Sequence, residues 1–175
     1  TYFFLWGGYC ASVFFGLSLG LTEVNIMHSA NHGAIIPNSK WSTVLNHLLD
    51  LAGQSCWAWR KDHNFAHHQY TGSKFDTEKK QQPFLRLHPS QKNTFFSSLQ
   101  HWLYPILLMF HVPFSNLSDV MRIYSEYRQG DIQGADLAGY IFGKGAYMTF
   151  FWATPMMAFG LLQGFLYSIA AHLVG

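Results

Sequence analysis

The sequence predicts an all-α fold, a polytopic helical bundle integral to a membrane. Of the 175 residues, 49% are hydrophobic, 18% are aromatic and only 11% are charged, a composition typical of membrane proteins. Charge-free stretches long enough to cross a bilayer recur, and the polar segments lack the alternation that predicts strands. Because apolar stretches begin and end the chain, we expect a partial domain over residues 1–175, truncated at both ends.

The first predicted element is a membrane-spanning helix over residues 2–21, YFFLWGGYCASVFFGLSLGL. These positions carry no charge, and about 20 residues of helix cross the ~30 Å of hydrocarbon in a bilayer. The region 40–92 holds eight of the eleven basic residues against four acids. By the positive-inside tendency, this region is expected to face the cytoplasm.

Two further apolar stretches follow. Residues 95–114 predict either a second spanning helix or a helix lying in the interface. The segment 115–145 is richer in acids, and we expect it on the other side of the membrane or skimming its surface. Residues 146–175 contain no Asp, Glu, Lys or Arg, so that a long tilted helix kinked at Pro155 and a tight hairpin both fit.

Composition argues against two kinds of site. Cys10 and Cys56 are isolated and have no CxxC spacing, which argues against a disulfide scaffold and a thiolate metal site. The net charge is only +2 and no long basic run accompanies stackable aromatic residues, so no nucleic-acid partner is expected. Histidine, in contrast, occurs ten times, and imidazole is well suited to bind metal near neutral pH.

Five of the histidines form two clusters. In EVNIMHSANHGA, His28 and His32 are four residues apart, and such positions lie about 5–6 Å apart on one face of a helix. In WRKDHNFAHHQYTG, His63 and His67 repeat this spacing, and His68 lies about 100° further round the helix. Idle polar helix ends would not explain two such clusters near one membrane face. An all-imidazole set suits zinc, copper, iron or nickel.

The two clusters resemble the histidine boxes of the membrane fatty acid desaturases, particularly the linoleoyl-CoA and front-end type. NIMHSANHGA is similar to the first box, HxxxH, and WRKDHNFAHHQYTG to the second, HxxxHH, including Trp59 and the YT that follows. NHLLDLAGQSCWAWR resembles the short helix that connects them. The chain lacks the family's third box, HxxHH or QxxHH, as expected of a fragment, and has Ser29 where the family usually has Asp.

The resemblance implies an oxidoreductase that uses O2 and two iron ions to desaturate an acyl chain carried by coenzyme A or by a lipid. The implied iron ligands are His28, His32, His63, His67, His68 and, on a last helix ending SIAAHLVG, His172. Cytochrome b5 or ferredoxin would supply the electrons. The fragment alone is expected to be inactive. Endoplasmic reticulum, plastid and bacterial inner membrane all remain open as locations.

Two carboxylates are candidates for roles around this site. Asp62, next to His63, could orient a metal ligand or could be an exposed charge beside Lys61. Glu23 ends the first apolar helix five residues before His28, where a carboxylate is costly unless it is paired or exposed at the headgroup level.

Four more residues are candidates for contacts with substrate. Arg60 and Lys61 could meet a phosphate-bearing head group, or could simply lie near anionic lipid. Trp57 and Trp59 could line an acyl tunnel, or could belong to an interfacial aromatic belt.

Two other functions remain open. A membrane hydroxylase or ketolase on the same scaffold would insert oxygen into its substrate, although the flanks of the second box favour a desaturase. A non-enzymatic metal or haem carrier would present histidines across helices near the bilayer midplane instead of in i, i+4 pairs at one edge.

Overall fold

A computed structural model describes residues 2–36, 40–77 and 85–174. All regular structure in these ranges is helical, which confirms the predicted all-α fold. The first half of the described chain contains α1 Tyr2–Thr22, π1 Glu23–Met27, α2 His28–Asn31, α3 Lys40–Asn46, α4 Leu48–Leu51, α5 Cys56–Arg60, π2 Lys61–His67 and α6 His68–Tyr70. The second half contains α7 Phe95–Ser98, α8 Gln100–Met109, α9 His111–Gln129, α10 Gly134–Tyr147, π3 Met148–Ala153, α11 Thr154–Phe159 and α12 Leu161–His172.

The predicted first span is part of one long helix that α1, π1 and α2 form together. Within the described residues, one helix is long and apolar enough to cross a membrane, and it covers Gly7–Asn31. Phe14 and Leu21 on this helix are 70% and 65% exposed. Large apolar side chains exposed in this way suit lipid better than water. The polytopic arrangement stays a prediction.

Residues 134–172 fold as a helical hairpin. The helix made of α10, π3 and α11 ends at Gly160, whose φ is +83°, and α12 packs back against α11. A Cβ atom on Gly164 would collide with the backbone of Pro155 and Met156, so the close approach needs a residue without a side chain. The tight hairpin is therefore confirmed, and the long helix kinked at Pro155 is wrong.

The apolar stretch 95–114 is divided into short helices. α7 ends at Ser98, α8 ends at Met109, and α9 begins at His111. The ten residues of α8 are about half of what a crossing requires. The prediction of a second spanning helix here is therefore wrong, and the interfacial alternative stays a prediction.

Ion pairs hold α9 against the second histidine cluster. The guanidinium group of Arg122 donates to both carboxylate oxygens of Asp62, and Lys61 Nζ lies 2.9 Å from Glu126 Oε2. The acidic segment 115–145 thus neutralises part of the basic region. Because these contacts place α9 beside π2, the predicted position on the opposite side of the membrane is wrong for α9, and the alternative that the segment skims the surface stays a prediction.

The connection between the two clusters is three short helices, not the single helix expected. Gly53, with φ of +95°, turns the chain between α4 and α5, and the Ser55 side chain then caps α5 by accepting from the Ala58 N–H. Two buried clusters fix this connection. One joins π1, α4 and α5 through Met27, Leu49 and Cys56, and the other joins α5, α9 and α10 through Ala58, Ile123, Ile132 and Tyr140.

Candidate metal centre

The fold brings the five histidines of the two boxes into one group, called here the histidine cluster. His28 begins α2 and His32 directly follows it, whereas His63, His67 and His68 come from π2 and α6. The ring centroids of His28 and His63 are 5.0 Å apart, and those of His32 and His68 are 4.7 Å apart. Residues from two distant segments of the sequence thus share one site.

The π-helical turn explains why His68 joins the other four. In an α-helix it would lie well round from His63, but a π-helix pairs residue i with residue i+5 and widens the turn. The rings of His63 and His68 are 4.7 Å apart, closer than the 5.2 Å between His63 and His67. The wider π-helical turn therefore brings the His68 ring next to His63, although an α-helix would place His68 about 100° further round than His67.

One pair has the spacing of two ligands on a single metal ion. The Nε2 atoms of His28 and His63 are 3.1 Å apart. Two nitrogen atoms that each bind a metal at ~2.1 Å are about 3.0 Å apart at right angles and about 3.4 Å apart in a tetrahedron. The ligand atoms of His28, His32 and His63 all lie within 4.8 Å of one another, so these residues fit the ligand set of a metal ion.

The electrostatics around His32 favour its neutral imidazole, the form that binds metal. Burial and the neighbouring rings of His28, His68 and His63 lower the pKa of His32. A second positive charge among close imidazoles is disfavoured. The lowered pKa of His32 thus favours a free ring nitrogen lone pair on this residue for a metal.

Asp76 is a functional candidate that the sequence analysis missed. Its carboxylate is almost completely buried, with 1% exposure, and its Oδ1 lies 2.9 Å from His67 Nδ1. The second oxygen accepts the Gly72 N–H at 2.9 Å. The sequence signal that could have identified it is an acid nine residues after His67, just beyond a glycine. In the sequence analysis, Asp76 was only one of the four acids of the basic region 40–92.

The two tryptophans occupy different places. The ring of Trp59 stacks on His63 with centroids 4.2 Å apart and planes 19° from parallel. Trp57 packs against the buried cluster around Ala58 and lies under the ammonium group of Lys61 at 4.9 Å. The structure therefore puts Trp59, but not Trp57, in contact with the histidine cluster.

The charged candidates around the second box are paired with acids or bases of the following segment. Asp62 binds Arg122, as described above, and Arg60 Nη2 lies 2.5 Å from Asp136 Oδ1. Lys61 binds Glu126. These ion pairs tie π2 to α9 and α10. The side chain of Glu23 lies outside the part of the chain that the structure describes.

His172 is not brought to the histidine cluster. Its Nε2 lies 2.5 Å from the Tyr147 hydroxyl and its Nδ1 lies 2.6 Å from the Ser168 carbonyl oxygen. A Cβ atom on Gly16 would collide with the carbonyl group of Ala171, so His172 lies at the level of Gly16. Gly16 is twelve residues before His28 in the sequence, or about 18 Å away along the first helix. Its role as a ligand stays a prediction.

A second group of potential ligands is a hydrogen-bonded network. His47 Nδ1 lies 2.5 Å from Asp50 Oδ2, and Asp50 Oδ1 accepts the Cys56 N–H. These three residues also place ligand atoms within 4.8 Å of one another, but burial raises the pKa of the Cys56 thiol to about 12. Because the thiol is neutral and the Asp50 carboxylate is already hydrogen-bonded to His47 and Cys56, we interpret this group as one that stabilises the packing of α4 and α5.

A cavity of about 740 Å³ lies beside the histidine cluster. Trp59 and His63 line it together with Asp62, Asp119 and Arg122. Serine side chains of α9 and of the turn before α5 add to this lining. Ala58 and Phe114 contribute apolar surface, so the cavity presents both polar and apolar groups to a ligand.

Comparison with known proteins gives a consistent set of matches. The profile of the fatty acid desaturase family matches residues 4–174. The sn-1 linoleoyl-lipid 6-desaturase of Arthrospira platensis is 27% identical over 121 residues, which are 68% of this chain and 33% of that protein. The enzyme of the same name from Synechocystis sp. is 28% identical over 143 residues, 73% of this chain and 40% of that protein.

A third relative has a different name. The acyl-lipid (7-3)-desaturase of Rebecca salina is 29% identical over 139 residues, 75% of this chain and 29% of that protein. The chain thus spans between 29% and 40% of the length of these three relatives. No solved structure matches the chain.

Proposed function

The chain belongs to the fatty acid desaturase family, and we propose that the protein introduces a carbon–carbon double bond into an acyl chain with O2 and a di-iron centre. Two adjacent methylene groups each lose one hydrogen. O2 takes up these two hydrogens with two electrons and two protons and leaves as two molecules of water. The observation that carries this proposal is the convergence of the five imidazoles of the two boxes, with 3.1 Å between the Nε2 atoms of His28 and His63.

The chain's own residues would hold and surround the irons. The five histidines of the cluster are the proposed ligands, and His172 is a sixth candidate. When bound, the iron pair supplies the activation of O2 that the carbon–hydrogen bonds of an alkyl chain require. Trp59 covers one side of His63 and thereby limits the access of water.

Membrane insertion is the second part of the proposal. The helix Gly7–Asn31 has the length and composition of a span, and His28 lies close to its end. Apolar side chains of the hairpin, such as Met157 and Leu162, are 86% and 73% exposed, which supports a polytopic arrangement. A site at the edge of the bilayer can receive an acyl chain from the lipid while an electron donor binds from the aqueous side.

A lipid is the proposed acyl carrier, with acyl-CoA as the alternative. The names of the relatives describe desaturases of lipid-bound acyl groups. Arg60 and Lys61 are paired with acids, so their charges are partly neutralised and contribute less to the binding of a phosphate-rich carrier. Cytochrome b5 or ferredoxin is the proposed electron donor.

The first test is product analysis. The intact protein would be expressed in a host with a simple fatty acid profile and supplied with 18O2, and the acyl chains compared by mass spectrometry. We expect a new double bond in wild type, no new product with His63→Ala, and unchanged product with the control His101→Ala on α8. A product that contains 18O would assign the protein to the hydroxylases or ketolases. Absence of any product from well-expressed, iron-loaded wild type would refute the proposed activity.

A further inference from the structure

We infer that Asp76 is a positioning residue that orients His67 and fixes which ring nitrogen of His67 faces the metal. The inference rests on the proposed function, since it concerns a ligand of the proposed iron centre. It starts from a buried carboxylate that lies 2.9 Å from the Nδ1 atom of His67. The two residues are nine positions apart in the sequence, and the loop after α6 brings them together.

The loop holds the Asp76 carboxylate in a defined orientation. Gly72, with φ of +78°, turns the chain after α6 and donates its N–H to Asp76 Oδ2. The Thr71 hydroxyl donates to the His67 carbonyl oxygen at 2.6 Å, and the Asp76 N–H donates to the Ser73 carbonyl oxygen. One carboxylate oxygen of Asp76 is thus held by a backbone N–H and the other lies against the His67 ring, while the two further hydrogen bonds stabilise the loop.

The charge of the carboxylate selects the tautomer of His67. A buried carboxylate is costly unless it accepts hydrogen bonds, so Nδ1 of His67 is the nitrogen that carries the proton and donates. The lone pair then lies on Nε2, and hydrogen bonding to a carboxylate makes that nitrogen a stronger ligand. His28 and His63 also meet through their Nε2 atoms, so Nε2 is the inferred ligand atom of His67 as well.

The structure assigns this role to Asp76 and not to Asp62. Asp62 is adjacent to His63 in the sequence, but both of its oxygens accept from the guanidinium group of Arg122. Asp62 therefore joins π2 to α9, while Asp76 contacts a ring of the histidine cluster.

Iron binding tests the assignment independently of activity. The intact protein, purified in detergent as wild type, Asp76→Asn and Asp76→Ala, would be titrated anaerobically with iron(II), and its thermal unfolding measured without metal. Removal of a carboxylate that orients a metal ligand typically weakens metal binding about 10- to 100-fold. We expect a loss of this size with Asp76→Ala and a smaller loss with Asp76→Asn, whose amide oxygen still accepts from Nδ1. Asp131→Asn, at an exposed acid after α9, is the control and should bind iron as wild type does.

The outcomes separate this inference from the proposed function. Folded Asp76→Ala or Asp76→Asn with wild-type iron affinity would overturn the positioning role, even if the midpoint temperature falls. If Asp76→Ala does not fold, the nearly isosteric Asp76→Asn decides. If the proposed activity is wrong, the wild-type protein binds iron but forms no new product. Wild type that binds no iron would overturn both.

Discussion

Asp119 lies in the cavity beside Trp59 and His63, and burial raises the pKa of its carboxyl group to about 6. An unfolded aspartate has a pKa of about 3.9, so the unfolded chain releases this proton first as the pH rises. The stabilisation from protonated Asp119 is fully present below about pH 4 and is lost as the pH rises through about 6.

The variant Asp119→Asn removes this titration and can still accept the Ser55 N–H that Asp119 accepts at 2.7 Å. Thermal unfolding of metal-free wild type and Asp119→Asn in detergent, measured between pH 5 and 8, should give a midpoint difference that changes with pH. Wild type should lose stability relative to the variant as the pH rises. Histidine titration is common to both proteins and cancels in the difference. Parallel curves for the two proteins would contradict the raised pKa.

At the level of elements, two of the three π-helical segments in the described residues accompany the histidine cluster. π1 ends at Met27, directly before His28, and π2 contains His63 and His67. Segments of this kind are rare and are frequently found at functional sites. Here the wider turn brings a histidine that an α-helix would direct elsewhere into contact with the others.

The hairpin of α11 and α12 depends on Gly164, and its substitution gives an element-scale prediction. A Cβ atom at this position would collide with the backbone of Pro155 and Met156, so Gly164→Ala must push the helices apart. Overpacking of this kind costs about 1–3 kcal/mol, and we expect a lower midpoint of thermal unfolding. Gly145→Ala on α10 is the matched control, because no atom lies within 4 Å of the place its methyl group would take. That variant should unfold at or above the wild-type temperature, since alanine favours helix; equal destabilisation of both would contradict the packing argument.

On the scale of the whole molecule, contacts between the helices show in which direction α1 and α12 run relative to each other. Gly8 contacts Tyr167 and Gly16 contacts Ala171, so α1 and α12 run parallel. Gly139 and Gly143 of α10 lie against His47 and Asp50, and α12 packs back against α11. The polytopic arrangement stays a prediction, and it would use the two arms of this hairpin as a pair of membrane passages.

Cysteine labelling tests this arrangement in the membrane. In a background without Cys10 and Cys56, Lys74→Cys and Ser125→Cys should react with an impermeant thiol reagent from the cytoplasmic side. Leu161→Cys, next to the turn at Gly160 and 79% exposed in wild type, should react from the opposite side only. Labelling of Leu161→Cys from the same side as Lys74→Cys would refute the two-passage hairpin.

The sequence determined the helical class, the first long apolar helix and the two histidine boxes, because these follow from composition and from spacings within single helices. Tertiary structure decided what depends on residues far apart in the chain. Asp76 and Asp62 look alike in the sequence, yet one contacts His67 and the other Arg122, since loop closure and the docking of α9 choose their partners. The turn at Gly160 and the position of α9 beside π2 were likewise decided by packing and ion pairing between elements, which no local spacing encodes.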